Sequence, residues 1–105
     1  MVRNDPFKTG NHHHNLVDGW ITALGIGTQL EYDVGKYSID IYVPDLELGI
    51  EIDGPYHLRK RDAKRDAYIT ENFCIEMWRI PIKDINASYK KEFIGKILER
   101  VQEME

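Results

Sequence analysis

The sequence predicts an α/β fold, a mixed sheet in the order αβββαβ flanked by helices, with one more helix at the carboxyl end. Three observations predict it. Between residues 30 and 53, three consecutive segments alternate apolar and polar residues, the period of half-buried strands, with short turn signals between them. Three other segments carry apolar residues at spacings of three and four, the period of amphipathic helices. One of those helices separates the third strand from the fourth, and a parallel pair needs such a crossover.

Residues 1–11, with Asn4-Asp5-Pro6 and Thr9-Gly10, read as a flexible lead-in, and residues 12–105 as a single domain. Leu16, Val17, Trp20, Ile21 and Leu24 predict a helix over 12–24, ended by Gly25 and Gly27. Leu30, Tyr32 and Val34 alternate with Glu31 and Asp33 in a first strand, and Gly35-Lys36 reads as a tight hairpin turn. Over 37–43, Ile39, Ile41 and Val43 are expected on one face and Asp40 and Tyr42 on the other. Pro44-Asp45 breaks that strand. Over 46–53, Leu48, Ile50 and Ile52 share a face, Glu51 and Asp53 share the opposite one, and Gly54-Pro55 stops the strand. Residues 61–72 predict a charged helix with Ala63, Ala67, Tyr68 and Ile69 as its apolar side. A strand over 74–80 ends at Pro81, with Cys74 at its start as a buried small hydrophobe. A last helix over 87–104 carries Phe93, Ile94, Ile97, Leu98 and Val101 on one stripe. Trp20, Trp78 and Phe93 are expected in the core.

Composition excludes several classes. At 42% hydrophobic and 30% charged, the 105 residues hold enough apolar side chains for one folded domain rather than a disordered chain. No apolar run approaches the roughly 18 residues of a membrane helix, and the amino end lacks the apolar core of a secretory signal. A single cysteine excludes an internal disulfide framework and a multi-cysteine zinc site. Gly25-Ile26-Gly27 has no following lysine, so a phosphate-cradling loop is absent. His12-His13-His14 cannot jointly ligate one ion while helical, because neighbours on a helix point about 100° apart. They read as helix-start histidines, with His14 alone near any site.

The net charge of −4 argues against a strong non-specific polyanion binder. The charge is unevenly spread, however. Residues 1–54 carry three Lys/Arg against nine Asp/Glu, a balance of −6, and residues 55–105 carry eleven against nine, a balance of +2. Basic residues concentrate at Arg59, Lys60, Arg61, Lys64 and Arg65. That run is either a solvated helix face or a surface for a phosphate backbone.

The most informative segment runs from Asp40 through Glu51-Ile52-Asp53-Gly54-Pro55-Tyr56-His57. Asp40, Glu51 and Asp53 all face away from the apolar side of their strands, so pairing of those strands would bring three carboxylates together at one end of the sheet. Like charges held close repel and raise one another's pKa values. A hard divalent cation such as Mg²⁺ relieves that repulsion, can bind a phosphate oxygen, and lowers the pKa of a bound water. His57, just past the Gly-Pro turn, could then move a proton. Each acid taken alone fits an ordinary half-exposed strand; it is the set, ending in the poor strand formers Asp and Gly, that suggests a site.

These residues resemble the PD-(D/E)XK nuclease superfamily, and more closely its very short patch repair (Vsr-type, EDxHD) endonuclease branch. Asp40, the Glu51-x-Asp53-Gly54 strand end and His57 carry the likeness. So do Arg61-Asp62-Ala63-Lys64-Arg65-Asp66-Ala67-Tyr68-Ile69 and the strand from Phe73 to Pro81. The likeness covers roughly residues 12–86. It implies a restriction-endonuclease-like core with Asp40 as the principal metal-binding carboxylate. Glu51 is implied as a second ligand, and Ile52 as the residue whose backbone carbonyl helps bind the metal. His57 matches the catalytic histidine of the branch, with a one-residue difference in the loop. Asp62 matches the last aspartate of the signature, and Asp66, one turn on, is its rival. Asp53 stands where many members carry lysine, which leaves lysine-assisted activation of water without its residue. The branch has a glutamate on its first helix; that position falls near His14 here, so either His14 replaces it, Glu31 supplies it, or the role is absent.

The expected function is that of a Mg²⁺-dependent endonuclease catalytic domain, with Mn²⁺ able to substitute, hydrolysing the backbone of double-stranded DNA. Asp40, Glu51, Asp53, His57 and Asp62 are the expected catalytic set. Arg59, Lys60, Arg61, Lys64 and Arg65 are expected to meet phosphates, and Tyr56 to stack on or wedge against a base. Phage-encoded homing endonucleases use such a domain, so the resemblance implies a homing or patch-repair role and a cytoplasmic setting in a bacterial host or phage-infected cell. Target choice is expected from a separate DNA-recognition domain or from homodimerisation. The competing expectations are a non-catalytic nucleic-acid-binding module on the same fold and a hydrolase of RNA or a small phosphoester.

Overall fold

Helix α1 (Thr9–Thr22) leads into a meander of β1 (Gln29–Val34), β2 (Tyr37–Val43) and β3 (Leu48–Asp53); α2 (Arg59–Phe73), β4 (Glu76–Pro81) and α3 (Ala87–Glu103) follow. The structure, a computed structural model, describes residues 9–55 and 59–105. The four strands form one sheet in the order β1-β2-β3-β4; the first two pairings are antiparallel and β4 runs parallel to β3. The αβββαβ order and the carboxyl-terminal helix are therefore as expected. No helix among the described residues is long and apolar enough to cross a membrane.

The sheet is covered on both sides. Leu48, Ile50 and Ile52 of β3 pack with Val17, Trp20 and Ile21 of α1 and with Phe93 and Ile97 of α3. The alternate positions of β3 face α2, where Val34, Ile39, Ile69 and Ile75 form a smaller cluster. Gly49 sits on that side under close approach: a Cβ there would lie 2.6 Å from Met77 Sδ and 3.1 Å from Ile39 Cγ2. Helix α3 starts where Asn86 caps it, its side chain accepting a 2.9 Å hydrogen bond from the Tyr89 N–H.

Four expectations need correction. Ile39, Ile41 and Val43 do not share a face: Ile41 and Val43 pack toward α1 and α3, and Ile39 packs toward α2. The strand turns over at Asp40. The β1–β2 register pairs Leu30 with Ile41 and Tyr32 with Ile39 but skips Glu31 and Asp40, and Glu31 adopts a φ of +51°. Such an interruption re-aims a side chain. Secondly, the buried side of α2 is not its alanine side. Ala63, Ala67 and Tyr68 are exposed, whereas Asp62, Arg65, Asp66 and Ile69, at helical spacing, face the sheet. Thirdly, Cys74 is exposed with a φ of +58°: it closes α2 by donating its N–H to the Thr70 carbonyl, and β4 begins only at Glu76. Lastly, Leu30 and Leu98 are exposed at 45% and 49% rather than buried.

Candidate active site

The turnover of β2 at Asp40 creates the central feature of the site. Where the β2–β3 ladder stops after Ile41 and Ile50, side chains replace it. The Asp40 N–H donates to Glu51 Oε2 at 2.8 Å, and the Ile52 N–H donates to Asp40 Oδ2 at 2.8 Å. Two carboxylates on neighbouring strands are thus each fixed by the other strand's backbone. His14 of α1 approaches the same group, its Nε2 3.4 Å from Asp40 Oδ2. Glu31, the other expected stand-in for a first-helix glutamate, is exposed.

Beside this pair lies a cleft of about 500 Å³ lined by Lys36, Tyr37, Arg61 and Arg65 together with Glu51, Asp53, Asp62 and Arg79. Arg65 turns inward: its Nη1 is 3.3 Å from Glu51 Oε1, its Nη2 donates to the Ser38 carbonyl, and its guanidinium carbon sits 5.5 Å from the Tyr37 ring centroid. Lys60, Arg61 and Lys64 are exposed. Among the described residues, Asp53 forms no metal-holding group with Asp40 and Glu51, although it lines the cleft with Glu51. It is almost fully buried and accepts a 2.8 Å bond from Arg79 Nη1. Arg79 also grips Asp66 bidentately at 2.7 and 2.8 Å and lies 3.6 Å from Asp62. Tyr56 and His57 lie outside the described residues, as does the side chain of Arg59.

Three participants escaped the sequence reading. Arg79 looks like one polar residue of an alternating strand, and nothing local marks it as the partner of three aspartates. Lys36 and Tyr37 belong to the hairpin between β1 and β2, and only folding carries them to the cleft. The available signal was the parity of Arg79 with Met77 on β4, which puts it on the face opposite Trp78 and Ile80.

The electrostatics match the geometry. Burial raises the Glu51 pKa above its ordinary value, and the Asp40 charge raises it further; the Asp40 N–H and Arg65 offset these only in part. Burial alone would lower the Arg79 pKa, but bonds and charges from Asp66 and Asp53 outweigh it and raise it. Among the described residues, no group of three or more His, Cys, Asp or Glu side chains is arranged to hold a metal ion. Mg²⁺, however, commonly takes only one or two protein carboxylates and completes its shell with water and substrate phosphate. Asp40 and Glu51, hard oxygen donors in mutual repulsion, fit that mode. No family model matches the chain, and no curated protein matches it.

Proposed function

We propose that the chain is the catalytic domain of a Mg²⁺-dependent DNA endonuclease that hydrolyses backbone phosphodiesters in a homing or patch-repair setting. One observation carries the reading: Asp40 and Glu51 are fixed side by side, with a raised Glu51 pKa, next to a cleft that also presents Lys36, Arg61 and Arg65. Asp40 and Glu51 would hold the cation, with the Ile52 carbonyl as the resemblance implies. The bound ion would polarise a phosphate oxygen and ease deprotonation of water. The chain's own residues supply the rest. Lys36 and Arg61 offer positive charge to the phosphates on either side of the scissile bond. Exposed Lys60 and Lys64 extend that charge along α2. Arg79 holds Asp62 and Asp66 in place on the sheet side of the helix. His57 takes the proton-transfer role that the resemblance assigns to it.

Plasmid nicking tests the reading. With Mg²⁺ or Mn²⁺ the wild type should nick; EDTA should stop it. Asp40→Ala should reduce the rate by at least about a hundredfold, since losing a ligand costs more than losing a ligand's support. An Asp40→Ala protein that nicks as well as wild type would remove this mechanism. A second reading, a nucleic-acid-binding module without catalysis, is favoured by the commitment of Asp53 to Arg79 at a position where the resembling nucleases carry lysine. Salt-dependent duplex binding without nicking, even after fusion to a DNA-binding domain, would select it.

A further inference from the structure

Of the three arginines that line the cleft, Arg79 and Arg65 are held differently. Arg79 makes three short bonds of 2.7 to 2.8 Å to Asp66 and Asp53 and is locked. Arg65 meets Glu51 at 3.3 Å, longer than the roughly 2.7–2.9 Å of a strong charge-assisted bond. Its other contacts, the Ser38 carbonyl, the face of Tyr37 and Asp66 Oδ1 at 3.8 Å, do not involve the carboxylate pair. Arg65 can therefore stay anchored while one of its nitrogens changes partner. Its side chain is 15% exposed and lines the open cleft, so a phosphate there lies within reach of terminal side-chain rotations.

We propose that Arg65 is the resident counter-ion of the Asp40–Glu51 pair and passes from Glu51 to a nucleic-acid phosphate when the carboxylates take a divalent cation. Metal binding and substrate binding are then coupled through this one side chain. The proposal rests on the endonuclease reading above. The physical reason is charge exclusion. A guanidinium and a divalent cation repel each other at the same carboxylate, and a phosphate in the cleft gives the guanidinium a new partner. Coupling of this kind is reciprocal, so a cation tightens DNA binding by the factor by which DNA tightens cation binding.

Two measurements test it. The first is Mn²⁺ affinity of the free protein, read by electron paramagnetic resonance. Arg65→Met removes the competing charge and should tighten Mn²⁺ about fivefold, the scale of one partly screened charge interaction. The second is affinity for a short labelled duplex in EDTA, in a double-mutant cycle. Glu51→Gln frees Arg65 and should tighten duplex binding about fivefold, and that gain should vanish when Arg65→Met is added. Where Arg65→Met does not fold by circular dichroism, Arg65→Gln, which keeps a donor for the Ser38 carbonyl, takes its place. An unchanged Mn²⁺ affinity with an additive cycle overturns the counter-ion role and leaves the endonuclease reading standing. Wild type that binds Mn²⁺ no better than Asp40→Ala overturns that reading and this proposal together.

Discussion

At the scale of single residues, Glu51 sets the tension of the site. Its carboxyl is pulled out of water and placed beside Asp40, so its folded-state pKa stands above the ordinary 4.5. Between that value and the raised one, the folded protein holds a proton that the unfolded chain has released. Stability from this group is present at acid pH and is lost as pH rises through the raised pKa. Glu51→Gln keeps an oxygen for the Asp40 N–H and removes the charge. It should raise Tm at pH 7 by a few degrees, with a gain that shrinks toward pH 4; a Tm that falls equally at both values would show that the charge is not the source of the tension. Asp40 and Glu51 were both legible in the sequence as members of a set with Asp53, Gly54 and His57, since each acid alone fits an ordinary half-exposed strand. Their hydrogen bonds to each other's strand were not, since those depend on where β2 turns over.

At the scale of elements, α2 is attached to the sheet mainly by charge. Its inner stripe is Asp62, Arg65, Asp66 and Ile69, of which Ile69 alone is apolar. Arg79 on β4 ties two of those acids to Asp53 on β3. Removing it takes away the cation that Asp53, Asp62 and Asp66 share. Arg79→Ala should cost about 2 kcal/mol in urea unfolding, less than the 3–5 of a fully buried pair because these side chains retain partial exposure. Arg79→Lys should recover less than half, because an ammonium cannot hold Asp66 with two parallel bonds while reaching Asp53. The sequence pointed instead to Ala63 and Ala67 as the inner side of α2. Apolar periodicity misleads when a helix docks through ion pairs, since the partner of each charge lies on another element.

At the scale of the whole molecule, the two sides of the sheet are unequal. Among the described residues, twelve buried side chains form the cluster under α1 and α3, and four form the cluster under α2. Apolar burial is the main source of local stability, so the α2 side should open first. Hydrogen exchange should be at least about tenfold faster in the middle of α2 than in the middle of α3. Added salt should widen the gap, because it screens the ion pairs of α2 and leaves the apolar cluster under α3 unaffected. Equal protection in the two helices would show that the ion pairs hold as firmly as the larger core. The side expected to open first is also the side of the cleft, the arrangement expected where a surface must adjust to a ligand.

The sequence alone determined the αβββαβ order, the bounds of β2, the hairpin at Gly35-Lys36 and the prominence of Asp40 and Glu51. These follow from local rules: a period of two or three-and-a-half, turn residues at their stations, and acids where a strand would favour apolar or β-branched side chains. Only the tertiary structure decided which way Ile39 faces, that Arg79 pairs with Asp53, that Arg65 turns inward, and that Lys36 and Tyr37 line the cleft. Each of these is a pairing between residues distant in the chain. A residue's periodicity reports the side it faces, whereas its partner depends on how separate elements are brought together, and that information is carried by no single stretch of sequence.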